Sequence, residues 1–214
     1  MQLLSTGFSE IGPVRRKNED AILDWREQGL FAVIDGMGGH KHGRMAAHTL
    51  CRALALFRRQ SSIEGSVTMI LRNISEANER IYQLSNGQSG ATACILLLQD
   101  DMVHVLWAGD TRAYLLRNRA LTQLTTDHAN AHSNTVTRAI GIAPTIDMAQ
   151  YSAPASSRDS YILATDGLYR AVSDERIKRV MCQYPMAAAA QMLKNRALTN
   201  GTRDNYSALF VRVG

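Results

Sequence analysis

The sequence predicts an α+β domain, a sheet packed against helices, on three observations. Short continuous apolar runs close on turn residues, as Leu30 to Ile34 does on Asp35-Gly36. Apolar residues recur at helical spacing over residues 43–57 and 63–84. No repeat, low-complexity tract or composition break divides the chain.

The elements follow in order. Leu30 to Ile34 reads as a buried strand. Ala46, Leu50, Leu54 and Phe57 place one helix over Gly43 to Phe57, and Val67, Ile70, Leu71, Ile74 and Ile81 place another from about residue 63 to 84, together a helical hairpin. Ala91 to Leu98, Met102 to Ala108 and Arg112 to Leu116, separated by Gln-Asp-Asp and Gly-Asp-Thr, read as an antiparallel meander. Tyr161 to Thr165 is a further buried strand. Pro185 opens a late helix with Met186, Ala190, Leu193 and Ala197 on one face, Gly201 ends it, and Asn205 to Val213 closes as a strand.

The 214 residues, 45% hydrophobic and 20% charged, suit a single domain over residues 1–214. Cys51, Cys94 and Cys182 are odd in number and set in apolar surroundings, which fits reduced core residues and a cytoplasmic protein. No basic leader and no run near the ~20 apolar residues of a membrane span is visible, so no membrane partner is expected. A net charge of +5 raises nucleic acid, but the basic residues are scattered and aromatics make up only 6%, so a rim attracting phosphorylated or acidic protein is the better reading. A monomer is the default expectation.

Four aspartates end apolar runs: Asp35, Asp110, Asp166 and Asp204. A carboxylate at the mouth of a buried strand is costly unless paired or bound to a cation, so four of them suggest one convergent metal cluster. In Asp35-Gly36 and Asp166-Gly167 the aspartate offers anionic oxygen and the glycine lets a carbonyl turn inward as a further ligand. Two divalent cations sharing a carboxylate can activate water and neutralise a phosphoryl group under attack. An isolated Asp-Gly is usually just a turn; several ending strands are not.

Eight short motifs occur in order: GPVRRKNED (Gly12 to Asp20), DGMGGH (Asp35 to His40), SGAT (Ser89 to Thr92), AGDTR (Ala108 to Arg112), LTTDH (Leu124 to His128), TRAIG (Thr137 to Gly141), ATDGL (Ala164 to Leu168) and RDN (Arg203 to Asn205). Together they resemble the bacterial type 2C, or PPM-family, metal-dependent serine/threonine protein phosphatases, from about Ser5 to Val213. The resemblance implies a two-sheet antiparallel β-sandwich flanked by helices, with two Mn2+ or Mg2+ ions at one edge. Asp35 would bridge both ions, with the Gly36 carbonyl on one. Asp166 and Asp204 would complete the first site, Glu19 and Asp20 would serve the second directly or through water, and Asp110 with Asp166 would hold a weaker third ion. Arg15 would clamp phosphate, since a guanidinium fork bonds two phosphoryl oxygens at once. It also implies phosphorylated proteins as partners and pairing with a serine/threonine kinase.

Other readings stand beside these. Arg15 and its neighbours also read as a solvated basic turn. Asp20 also reads as a group orienting metal-bound water. Asn205 is expected to brace Asp204, and Asp127-His128 to be structural. His40, His42 and His48 lack zinc spacing in oxygen-rich surroundings. Met37 stands where eukaryotic relatives carry a proposed general acid, which leaves His40 as a candidate proton donor. Only nine residues, Ala129 to Thr137, separate His128 from Arg138 where bacterial relatives insert a longer flap, so a much shortened flap is expected. No nucleophile elbow, phosphate-binding P-loop or cysteine-phosphatase loop is present. The alternative to an enzyme is a phosphoprotein-binding domain of the same fold with little turnover.

Overall fold

The computed structural model describes residues 2–38, 42–130, 133 and 135–214. Within them the elements run β1 (Leu3–Glu10), β2 (Asp20–Trp25), β3 (Leu30–Met37), α1 (His42–Leu54), α2 (Ile63–Ser85), β4 (Gly90–Gln99), β5 (Met102–Ala108), β6 (Arg112–Arg117), β7 (Ala120–Gln123), β8 (Ala149–Pro154), β9 (Ser160–Ala164), α3 (Asp166–Tyr169), α4 (Asp174–Gln183), α5 (Met186–Thr199) and β10 (Tyr206–Val213). Among the described residues the strands form two antiparallel sheets, β1-β10-β9-β6-β7 and β2-β3-β4-β5-β8. The expected sandwich flanked by helices is the observed architecture.

The continuous apolar runs have a simple cause. Leu30, Ala32 and Ile34 on β3 point into the core shared with α1 and α2, while Phe31 and Val33 point into the core between the sheets. On β10, Ala208 and Phe210 face α4 and α5, and Leu209 and Val211 face the other sheet. Strands β3 and β10 are therefore buried on both faces, which removes the alternation that marks a half-buried strand. The layers run helices, sheet, sheet, helices.

Local chemistry sets the ends of several elements. The Ser62 hydroxyl accepts from the Gly65 amide at 3.1 Å to cap α2, and Asn86 at φ 51° ends it in the left-handed region. Asp100-Asp101 and Asn118-Arg119 have positive φ at both central positions, making the tight turns of the β4–β5 and β6–β7 hairpins.

Two expectations are corrected. Met102–Ala108 and Arg112–Arg117 are not neighbours in a meander: β5 pairs with β4 and β8, whereas β6 pairs with β7 and β9 in the other sheet. The chain crosses between sheets at Gly109, whose φ of +100° and contact with the Thr92 side chain exclude any Cβ. Phe57 is also not helical; it lies three residues past α1, though its side chain is fully buried. Strands β1, β2, β7 and β8 and helices α3 and α4 are additions to the sequence-based reading.

All three cysteines are free, as expected, with Cys94 fully buried. No helix among the described residues is long and apolar enough to cross a membrane.

Candidate metal centre

The sheet pairing brings the acidic residues together. Asp20 opens β2 and stands directly opposite Asp35 on β3, which in turn pairs with Thr92 on β4. Asp110 lies in the crossing from β5 to β6, Asp166 opens α3 directly after β9, and Asp204 immediately precedes Asn205 and β10. Strand ends and crossings of both sheets thus deliver carboxylates to one edge of the sandwich.

Asp20 is buried, and its Oδ2 accepts from Ser207 Oγ at 2.6 Å, on β10 of the other sheet, and from Thr165 Oγ1 at 3.1 Å, directly after β9. Ser207 Oγ lies 2.9 Å from Ser9 Oγ, which accepts from Asn18 Nδ2 at 2.8 Å, so the pair is held from outside as well. The opposite oxygen, Asp20 Oδ1, is buried and has no hydrogen-bond partner, and the same is true of Asp166 Oδ1. Asp166 Oδ2 instead meets Arg170 Nε at 3.2 Å. Buried carboxylate oxygens left unpartnered are costly, and a bound cation removes that cost.

The charges reinforce one another. Burial, then the charges of Asp20, Asp166, Asp110 and Asp204, push Asp35 well above the usual carboxylate range. Burial lifts Asp20 to about 7, against the opposing hydroxyls of Ser207 and Thr165. Burial likewise lifts Asp166 to about 6, with Arg170 opposing and Asp110 and Asp204 adding. Asp110, buried at the crossing, is also raised, first by burial.

Gly36 and Gly43 meet where β3 enters α1. A Cβ on Gly36 would overlap the Gly43 carbonyl, and a Cβ on Gly43 would lie 2.8 Å from Gly36 O and 3.1 Å from Glu19 Oε2. Two oxygens therefore converge on a place that only glycine keeps clear. Among the described residues no group of three or more His, Cys, Asp or Glu side chains is disposed to hold a cation by itself. Mg2+ and Mn2+ accept carbonyl oxygen and retain water, so an incomplete, all-oxygen set with orphaned carboxylate oxygens fits them and does not fit zinc.

Arg15 donates from Nη2 to Asp204 Oδ2 at 2.6 Å, with both side chains about half exposed. Asn205 does not brace Asp204 through its side chain; its backbone amide donates to Asp204 Oδ1 at 2.8 Å. Its side chain instead pins the loop before β2, donating to the carbonyls of Ile11 and Lys17 and accepting from the Glu19 amide at 2.9 Å. That single asparagine fixes the segment carrying Arg15 and Glu19. His40 lies outside the described residues.

Asp127 is bound by Arg112, whose Nη2 donates at 2.8 Å, and the Arg112 guanidinium lies 3.8 Å from the centroid of the Tyr169 ring. His128 stacks on Trp107 and accepts through Nδ1 from the Gly109 amide at 3.2 Å, so both residues support the loop that carries Asp110. At the short 129–137 segment, where residues 131, 132 and 134 lie outside the described residues, the Thr137 amide donates to His128 O at 2.8 Å and the Asn130 amide to Thr135 O at 2.9 Å. Thr165, Ser207 and Arg170 escaped the sequence reading. Only Arg170 had a local signal, its i,i+4 spacing from Asp166 on a helix.

Comparison with known proteins gives one consistent result. The family model described as Protein phosphatase 2C matches residues 15–200. The serine/threonine phosphatase stp of Listeria monocytogenes is 26% identical over 231 residues, covering 94% of this chain and 92% of that protein. PstP of Mycobacterium tuberculosis is 28% identical, and the match covers 96% of this chain and 44% of that larger protein. Among solved structures, PppA, described as a key regulatory component of T6SS in Pseudomonas aeruginosa, superposes with TM-score 0.96 at 31% identity over 100% of this chain and 99% of its own. The catalytic domain of PstP in complex with two manganese ions superposes with TM-score 0.89 at 26% identity over 99% of both chains.

Proposed function

Because this chain belongs to the protein phosphatase 2C family, we propose that it hydrolyses phosphoserine and phosphothreonine in proteins, at a carboxylate-held centre for two divalent cations. The observation that carries this reading is the pair of buried, unpartnered oxygens, Asp20 Oδ1 and Asp166 Oδ1, within a cluster of aspartates that raise one another's proton affinity. When bound, Mn2+ or Mg2+ supplies a water acidic enough to attack near neutral pH and neutralises phosphoryl charge.

The chain's own residues divide the remaining work. Asp35 would serve both ions, Asp166 and Asp204 one of them, and Glu19, Asp20 and the Gly36 carbonyl the other. Ser207 and Thr165 hold Asp20 by one oxygen, so the second oxygen keeps a fixed direction. Arg15 is the phosphate-binding group: its contact to Asp204 keeps the guanidinium at the rim of the cluster, where its two-pronged donor face suits phosphoryl oxygens. Asn205 positions Arg15 and Glu19 through the loop it pins. Residues 1–214 act as one catalytic domain, its partners are phosphorylated proteins, and a cognate serine/threonine kinase supplies them.

The test is hydrolysis of a phosphothreonine peptide with and without Mn2+ after chelation. Turnover that requires added Mn2+ or Mg2+ is expected. Full activity in chelated, metal-free protein, or no turnover with either ion, counts against this function.

A further inference from the structure

Arg170 follows α3, four residues after Asp166, and touches two carboxylates that arrive from different parts of the fold. Its Nε lies 3.2 Å from Asp166 Oδ2, and its Nη2 lies 3.4 Å from Asp110 Oδ2. The two aspartate side chains are only 20% and 7% exposed, so their mutual repulsion is poorly screened by water. Arg112, the other guanidinium near Asp110, is committed to Asp127 and Tyr114.

We infer that Arg170 is a built-in cation filling the place between Asp110 and Asp166 where a further divalent ion would have to sit, so that this chain holds two ions and not three. A guanidinium keeps its charge at every working pH, and a divalent ion beside it meets like-charge repulsion instead of two free carboxylates. The same contact occupies Oδ2 of Asp166 and leaves Oδ1, buried and unpartnered, as the oxygen open to an ion. Arg170 is thus a positioning residue for Asp166 and a substitute for metal at Asp110. The inference rests on the metal centre proposed above.

Mn2+ stoichiometry read by titration calorimetry and by the signal of free Mn2+ in electron paramagnetic resonance tests it. The wild-type chain and Arg170→Lys should bind two ions. Arg170→Gln should gain a third, weaker one, and adding Asp110→Asn to that variant should remove it. Should Arg170→Gln fail to fold, Asp110→Asn alone decides the matter: it should still bind two ions, because the partner of Asp110 is Arg170. Three ions in the wild type, an unchanged count in folded Arg170→Gln, or an ion lost in Asp110→Asn overturns the inference alone. Absence of any Mn2+ binding by the wild type overturns the metal centre and this inference with it.

Discussion

Asp20 and Asp35 stand directly opposite one another across the β2–β3 pair. Like charges in opposed positions destabilise a sheet, and here the aspartate on β2 is also buried. Such a pair is tolerable when both carboxyls serve a cation or when one stays protonated, and the consequences can be measured.

The first concerns stability against pH in chelated protein. Burial raises Asp20 to about 7 and Asp166 to about 6, above the ~4 of an unfolded aspartate. The folded state then binds more protons than the unfolded one between those values, so the contribution is complete below about pH 4 and is lost as pH rises through 6 and 7. Chelated protein should melt lower at about pH 8 than at about pH 5.5, Asp20→Asn should flatten that trend, and Mn2+ should reverse it by favouring the ionised forms. A melting temperature that climbs over the same range without metal would contradict this account.

Substitutions at the centre should separate ion holding from phosphate holding. Asp35→Ala, Asp166→Ala and Asp204→Asn should remove most turnover together with Mn2+ binding. Arg15→Ala should leave kcat nearly intact and raise KM by about tenfold, the lower end of the range for a charged hydrogen bond because Arg15 is half exposed. Near-normal kcat in Asp166→Ala would break the shared-ion scheme.

Ser207 offers a test of the support around Asp20. Ser207→Ala removes the 2.6 Å hydrogen bond to Oδ2 without adding volume. Loss of an oriented supporting group of this kind costs ~10–100-fold in metal affinity. Calorimetric titration with Mn2+ reads it directly, and an unchanged affinity would show that Asp20 needs no such support.

With a loop of only nine residues between His128 and Arg138, one side of the centre should be left uncovered. Small aryl phosphates should be accepted readily, and kcat/KM should vary little across a panel of phosphopeptides. Sharp selection of one peptide by the isolated chain would argue for a wall that this loop does not supply.

Local pattern carried much of the fold. Leu30 to Ile34, Ala91 to Leu98 and Tyr161 to Thr165, whose strand ends at Ala164, were legible because a strand buried on both faces needs an unbroken apolar run, and α2 was legible from its helical spacing between Ser62 and Asn86. The edge strands β1 and β8 mix polar and apolar residues and gave no such signal. In α4, the charges of Arg176, Lys178 and Arg179 hid the buried face of Ile177, Val180 and Met181.

For the site, the sequence by itself determined the chemistry: oxygen donors at strand ends, glycines beside them, and an arginine ahead of Glu19. Motif order implied that they converge. Tertiary structure alone decided how they are held, since Ser207 reaches Asp20 across 187 residues, Asn205 pins the loop that carries Glu19, 186 residues away in sequence, and Arg170 joins Asp166 to an Asp110 placed by the crossing between sheets. Periodicity and turn propensity act over a few residues, whereas pairing a carboxylate with a distant donor depends on which strands become neighbours. That choice belongs to the packing of two sheets as a whole.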